Sequence, residues 1–141
     1  MKDGLSHNFA SSIIQDSNGF LWIGTESGLN KFDGNKFTNY LENPSDSNSL
    51  LNNNIISLWE DDRKHLWVGT SSGIQLLNPD TERFHQLELI PELPDLSIRS
   101  NLIVNKIRRG KDSTAWVCTN QGIFYVNTRR LSVTKSIFTK S

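Results

Sequence analysis

Three tryptophans recur at a near-constant interval: Trp22, Trp67 and Trp116 lie 45 and 49 residues apart. Around them the chain reads Leu21-Trp22-Ile23-Gly24-Thr25, Leu66-Trp67-Val68-Gly69-Thr70 and Ala115-Trp116-Val117-Cys118-Thr119. Six residues after each tryptophan a glycine precedes an apolar residue (Gly28-Leu29, Gly73-Ile74, Gly122-Ile123), and eleven after it stands Asp33, Asn78 or Asn127. Ile13, Leu58 and Ile107 lie nine residues before it, and Ala10, Ile55 and Val104 twelve before. An internal repeat of this kind constrains the fold more than any other property of the chain, because each copy must be one supersecondary unit stacked on the next.

Each copy divides into four short runs separated by turn residues. In the first copy they are about Ala10 to Gln15, Phe20 to Thr25, Gly28 to Asp33 and Lys36 to Tyr40. The turns between them are Ser17-Asn18-Gly19, Glu26-Ser27-Gly28 and Asp33-Gly34-Asn35, rich in residues that tolerate tight reversals. The middle runs are more continuously apolar than the last ones, as expected for strands covered on both faces. Last runs such as Phe37-Thr38-Asn39-Tyr40 alternate, as a half-exposed outer strand does. Four antiparallel strands in a unit of about 40–50 residues describe a propeller blade. A helical solenoid lacks the necessary spacing, and a β-sandwich does not explain the echo. The expected fold is all-β, a partial β-propeller of three four-stranded antiparallel blades. Their limits are about 5–41, 52–88 and 101–139.

Recurrence also separates scaffold from site. The motif tryptophans read as fillers between blades. Trp59, aligned with Ile14 and Arg108, falls outside the repeat and is read as inter-blade packing or a specific contact. Asp16 and Asp61 precede turns, where a carboxylate accepts backbone N–H bonds. Cys118, the only cysteine, is expected to be an inert buried thiol.

Fifteen basic and fifteen acidic residues balance, which argues against a nucleic-acid-binding role. No apolar run approaches the roughly 18 residues of a membrane span, so this segment is expected to make no membrane contact. His7, His65 and His85 share no ligand spacing, so no metal site or other cofactor is expected. No nucleophile elbow or nucleotide-binding loop occurs, and the chain is read as not itself an enzyme.

Recognition is expected where the motif falls silent. Two connections are long: Glu42 to Leu51, and Glu88 to Asn101 with Pro91 and Pro94. In a propeller they emerge on the face that also carries the turns between the second and third strands. This places Glu26, Ser27, Ser71, Ser72, Asn120 and Gln121 as candidate ligand-binding residues, suited to hydrogen bonds with a sugar-like ligand. Ordinary solvated turns are the alternative reading.

The segment Asp16 to Asp33 resembles the two-component regulator propeller repeat, as does Glu60 to Asn78; Arg109 to Asn127 is a degenerate copy. Asp3-Gly4-Leu5-Ser6 is similar to that family's usual opening. Gly110, Ala115 and Cys118 depart from its Asp, Leu and Gly. The resemblance implies a periplasmic sensor region of a hybrid two-component protein of the Bacteroides type. In such proteins the blades precede a membrane span, a histidine kinase, a receiver and a DNA-binding domain, and many respond to glycan fragments through a phosphorelay. The implied partner is an oligosaccharide. Two other classes remain open: a scaffold for protein–protein interaction, and a streptogramin-lyase-like enzyme with His7 in acid–base work.

Three blades do not make a ring, since propellers close with roughly four to eight. The expectation is a piece of a longer ring, any export signal lying outside it, whose end blades leave apolar faces open and drive self-association.

Overall fold

A computed structural model describes residues 4–5, 9–90 and 101–138; His7, Pro91 and Pro94 lie outside the described residues. All regular structure in it is strand, arranged as three antiparallel sheets in simple meander order. The first sheet contains β1 (Ala10–Gln15), β2 (Leu21–Thr25), β3 (Gly28–Phe32) and β4 (Phe37–Tyr40). The second contains β5 (Ile55–Glu60), β6 (Leu66–Thr70), β7 (Gly73–Asn78) and β8 (Arg83–Leu87). The third contains β9 (Val104–Arg109), β10 (Thr114–Thr119), β11 (Gly122–Asn127) and β12 (Ser132–Phe138). This is the three-blade partial propeller expected from the repeat.

The register repeats with the sequence. In every blade the first strand carries a bulge at the same place, so that Ser11, Ile56 and Asn105 are skipped in the pairing with the second strand. A bulge bends a strand and increases its twist. The bent first strands β1, β5 and β9 lie side by side and line one wall of a cavity of about 350 Å³ on the axial side of the blades. The glycine of the second turn has positive φ in all three blades (Gly28 126°, Gly73 118°, Gly122 133°), which explains why it is common to all three copies.

What joins one blade to the next is the tryptophan and the glycine two residues after it. Trp22 is fully buried and belongs to one apolar cluster with Ile55 and Leu58 from the following blade's first strand. Trp67, equally buried, shares a cluster with Val104 and Ile107 in the same way. Gly24 and Gly69 make this approach possible. A Cβ on Gly24 would lie 2.5 Å from Ile55 Cγ2, and one on Gly69 would lie 2.1 Å from Ser57 Oγ and 2.7 Å from Val104 Cγ1. Hydroxyls add to the seam: Ser11 donates to the Ile55 carbonyl, and Ser57 donates to the Val104 carbonyl at 2.9 Å. At another part of the first seam the Glu60 carboxylate accepts from the amide and hydroxyl of Ser17.

Asp16 and Asp61 do more than close their turns. One oxygen of Asp16 accepts the Asn18 and Phe20 amides, and the other accepts the Trp22 indole N–H at 2.8 Å. Asp61 repeats all three bonds with Arg63, His65 and Trp67. In the third blade the aspartate is Gly110, and a Cβ there would lie 2.8 Å from a ring carbon of Tyr125. Tyr125 instead stacks on Trp116, with ring centroids 4.2 Å apart, and its hydroxyl accepts from Thr114 at 2.7 Å. The missing carboxylate is thus replaced by an aromatic lid.

Two expectations are resolved by packing. Trp59 pairs with Trp67 across β5 and β6, meets it edge to face at 5.5 Å, and packs against the cluster between the second and third blades. Its position is accounted for as packing. Cys118 is corrected: it is half-buried, as is Trp116, on a face of the third blade that no other blade among the described residues covers.

Removing the indole acceptor by Asp61→Ala leaves a buried N–H and two turn amides unpaired. The expected loss is about 2–4 kcal/mol of unfolding free energy, read from urea denaturation. Gly69→Ala is expected to cost about 1–3 kcal/mol by overpacking the seam, with an unchanged denaturant slope.

Candidate functional site

The loop from the first blade to the second is a built structure. Glu42 and Leu50 form a parallel bridge that closes its neck. The Asn43 side chain accepts the Ser45 amide, the Asp46 side chain accepts the Asn48 amide, and the Ser49 hydroxyl donates to the carbonyls of Asn43 and Asp46. These are turns in which short polar side chains substitute for backbone partners. The Asn48 carbonyl then accepts the Phe84 amide at the edge of β8. Gln75, buried on β7, anchors the other side: its carbonyl oxygen accepts the Leu51 amide at 2.6 Å and its NH₂ donates to the Ser49 carbonyl at 3.1 Å.

Beside this loop lies a cavity of about 430 Å³. Pro44, Leu50 and Leu51 supply apolar surface, while Glu42, Asp46, Ser47 and Gln86 supply polar groups. Among the described residues no hydrogen bond occupies the side chains of Ser47 and Gln86. Leu51 also passes within 3.7 Å of a Cβ position on Gly73, so the cavity sits next to the turn between β6 and β7.

The six residues expected at the second turns divide into two groups. Ser71, Ser72 and Asn120 are engaged internally. The Asn54 amide group donates to the Ser71 hydroxyl at 2.6 Å, and Asn52 donates to the Ser72 hydroxyl at 2.9 Å. Asn120 accepts the Ile103 amide and donates to the Asn101 carbonyl. These three fasten the inter-blade connections to the turns. Glu26, Ser27 and Gln121 have side chains with no such engagement among the described residues. The amides of Ser27, Ser72 and Gln121 are each capped by the preceding threonine hydroxyl, which is the repeated use of Thr25, Thr70 and Thr119.

Sequence reasoning pointed to the loop but not to Gln75 or Gln86. Position eight after the tryptophan holds Asn30, Gln75 or Phe124, so nothing in the repeat marks it. No cluster of three potential metal ligands occurs among the described residues.

Near the loop, Tyr40 on β4 donates to the Glu82 carboxylate across the first seam at 2.7 Å. Burial, reinforced by that carboxylate, pushes the phenol well above the ordinary tyrosine range. At the exposed third turn, the Lys36 and Asn35 amides hold the Asp33 carboxyl below its usual range.

Residues 4–27 match the family model described as the two component regulator propeller. The chain carries the two component regulator propeller repeat. A 48-residue stretch of this propeller chain is 54% identical to Histidine kinase P4 of Formosa agariphila, covering 34% of the chain and 4% of that protein. The propeller also superposes on a solved structure described as the extracellular domain of a hybrid two component system from B. thetaiotaomicron. The TM-score is 0.80 and the identity 34%, over 95% of this chain and 19% of that one. A streptogramin B lyase structure matches with a TM-score of 0.63 at 14% identity, over 94% of this chain and 41% of that one, and shares the fold alone. The propeller chain therefore spans 4% of the curated relative and 19% of the solved domain.

Gln75→Leu is expected to keep the blade and free the loop: hydrogen exchange at the Leu51 amide should rise at least about tenfold, since its acceptor is lost. The Tyr40 phenol has a second measurable consequence. Its folded value is raised, so its stabilising contribution is complete below the unfolded phenol's value of about 10 and is lost as pH climbs through the folded value. Tyr40→Phe should therefore flatten the alkaline limb of a stability–pH curve.

Proposed function

We propose that this chain is an extracytoplasmic sensor segment of a hybrid two-component signalling protein, and that it contributes to recognition of a glycan-derived ligand. Support for the first part comes from the propeller repeat and from the likeness to an extracellular domain of such a system. Under this reading the segment is periplasmic, and phosphotransfer belongs to other parts of the parent protein.

The observation that carries the second part is the cavity beside the 42–51 loop. A sugar presents C–H faces and a rim of hydroxyls, and the cavity offers Pro44, Leu50 and Leu51 next to Ser47 and Gln86. Glu42 and Asp46 make its rim acidic, which favours a neutral oligosaccharide over one carrying carboxylates. Loop rigidity matters as much as composition, because a prebuilt loop does not lose its entropy on binding.

Isothermal titration of the chain against neutral and acidic oligosaccharides tests this reading. At least one neutral oligosaccharide should give saturable heat, and Gln86→Ala should weaken it about five- to tenfold through one lost hydrogen bond. Absence of heat across the panel, or equal binding by Gln86→Ala, would overturn the site.

A further inference from the structure

We propose that the seam between the second and third blades binds a small organic anion, its acid group held by Arg83, His65 and His85 and its apolar body resting on Leu76 and Leu131. The site is a cavity of its own and shares no wall residue with the one beside the 42–51 loop.

The repeat allows the two internal seams to be compared position by position, counting from each motif tryptophan. At the first seam Tyr40, eighteen residues after Trp22, donates across to Glu82, fifteen after Trp67. In the same blade Lys31 Nζ sits 4.2 Å from the centroid of the Phe20 ring. At the second seam the equivalents of Tyr40 and Glu82 are His85 and Leu131, and those of Phe20 and Lys31 are His65 and Leu76. These four replacements remove both contacts together. The backbone is kept, because Glu82 and Leu131 share the left-handed conformation at φ 57° and 55°. Where the first seam has its bridge, the second has a cavity of about 370 Å³ whose walls include His65, Leu76, Arg83, His85 and Leu131.

The donors in that cavity are unspent. Arg83 and His85 lie two apart on β8 and so share one side of the sheet, paired with Asn78 and Leu76 of β7. Arg83 is peculiar to the second blade, since Thr38 and Ser132 hold its place in the others. Among the described residues no hydrogen bond or ion pair engages the side chains of Arg83, His65 and His85. The neighbouring Glu82 carboxylate accepts from Tyr40 at the other seam, and no acidic residue lines the cavity. A planar guanidinium fork matches the paired oxygens of a carboxylate or phosphate, and an imidazole N–H adds a further donor. The two imidazoles belong to no cluster of three potential metal ligands among the described residues, so an anion suits the set better than a metal ion. The volume falls within the roughly 300–1,000 Å³ of small-molecule sites, and Leu76 and Leu131 give it an apolar wall. That combination fits an acid group carried on an apolar body rather than a bare inorganic anion. It also contrasts with the acidic rim that Glu42 and Asp46 give the first cavity.

Benzoate and phenyl phosphate are suitable probes, with benzamide as the uncharged control of similar shape, titrated into the full chain while amide chemical shifts are followed by nuclear magnetic resonance. At least one anion should bind saturably and shift the amides of Arg83, His85 and Leu131; which of the two does so distinguishes a carboxylate from a phosphate ester. Benzamide should bind at least about tenfold more weakly. Arg83→Gln, a change at an exposed side chain, should weaken the anion about tenfold, and Arg83→Lys should recover part of that loss. Leu131→Glu should abolish binding, because it sets a carboxylate beside His85 as Glu82 stands beside Tyr40. Circular dichroism on each variant verifies folding. No saturable shift with either anion, equal binding of benzamide, or an indifferent Arg83→Gln would overturn the proposal. Zinc perturbing both imidazoles while neither anion binds would overturn it in favour of a metal site.

Discussion

Everything in this structure depends on one contact, the burial of a tryptophan ring under the first strand of the following blade. A four-stranded sheet of this size has two faces and little interior, so it is not stable alone. Trp22 and Trp67 supply large apolar area, and the adjacent glycines let Ile55 and Val104 come close enough to cover it. The ring's single polar atom is satisfied by Asp16 or Asp61, which also closes the neighbouring hairpin. Turn, strand and seam are thereby coupled through one side chain. Where the coupling changes, in the third blade, glycine, tyrosine and cysteine change together.

The scaffold was legible because its determinants recur at constant offsets. The run from Ala10 to Gln15 is found as a strand with those limits, and the turn residues fall where tight reversals occur. Contacts between repeats were less legible. The carboxylates of Asp16 and Asp61 were readable as turn acceptors, but their indole bonds depend on how a hairpin folds over its own strand. Tyr125 as the replacement for an aspartate fifteen residues earlier belongs to the same class. The candidate site was legible only as a location. Ser71, Ser72 and Asn120 carry the polar groups a ligand needs, yet irregular loop backbone brings Asn52, Asn54, Asn101 and Ile103 within reach and engages them. Gln75 and Gln86 belong to strands, and their roles follow from a loop far away in sequence.

Division of labour within the blade follows from these contacts. Residues in the seams are committed to packing, and of the six second-turn residues Ser71, Ser72 and Asn120 hold connections. Side chains left available include Ser47 and Gln86 beside the 42–51 loop and Glu26, Ser27 and Gln121 at the turns. A recognition surface of this type varies its specificity through loops without altering the repeat, which is the usual advantage of a rigid scaffold.

Indole N–H exchange followed by nuclear magnetic resonance tests the central contact most directly, because each motif tryptophan reports its own seam. In dilute protein the Trp22 and Trp67 indole protons should exchange slowly, protected by burial and by their carboxylate acceptors, while the Trp116 proton should exchange quickly. Equal protection of all three, or rapid exchange at Trp22 or Trp67, would contradict the account.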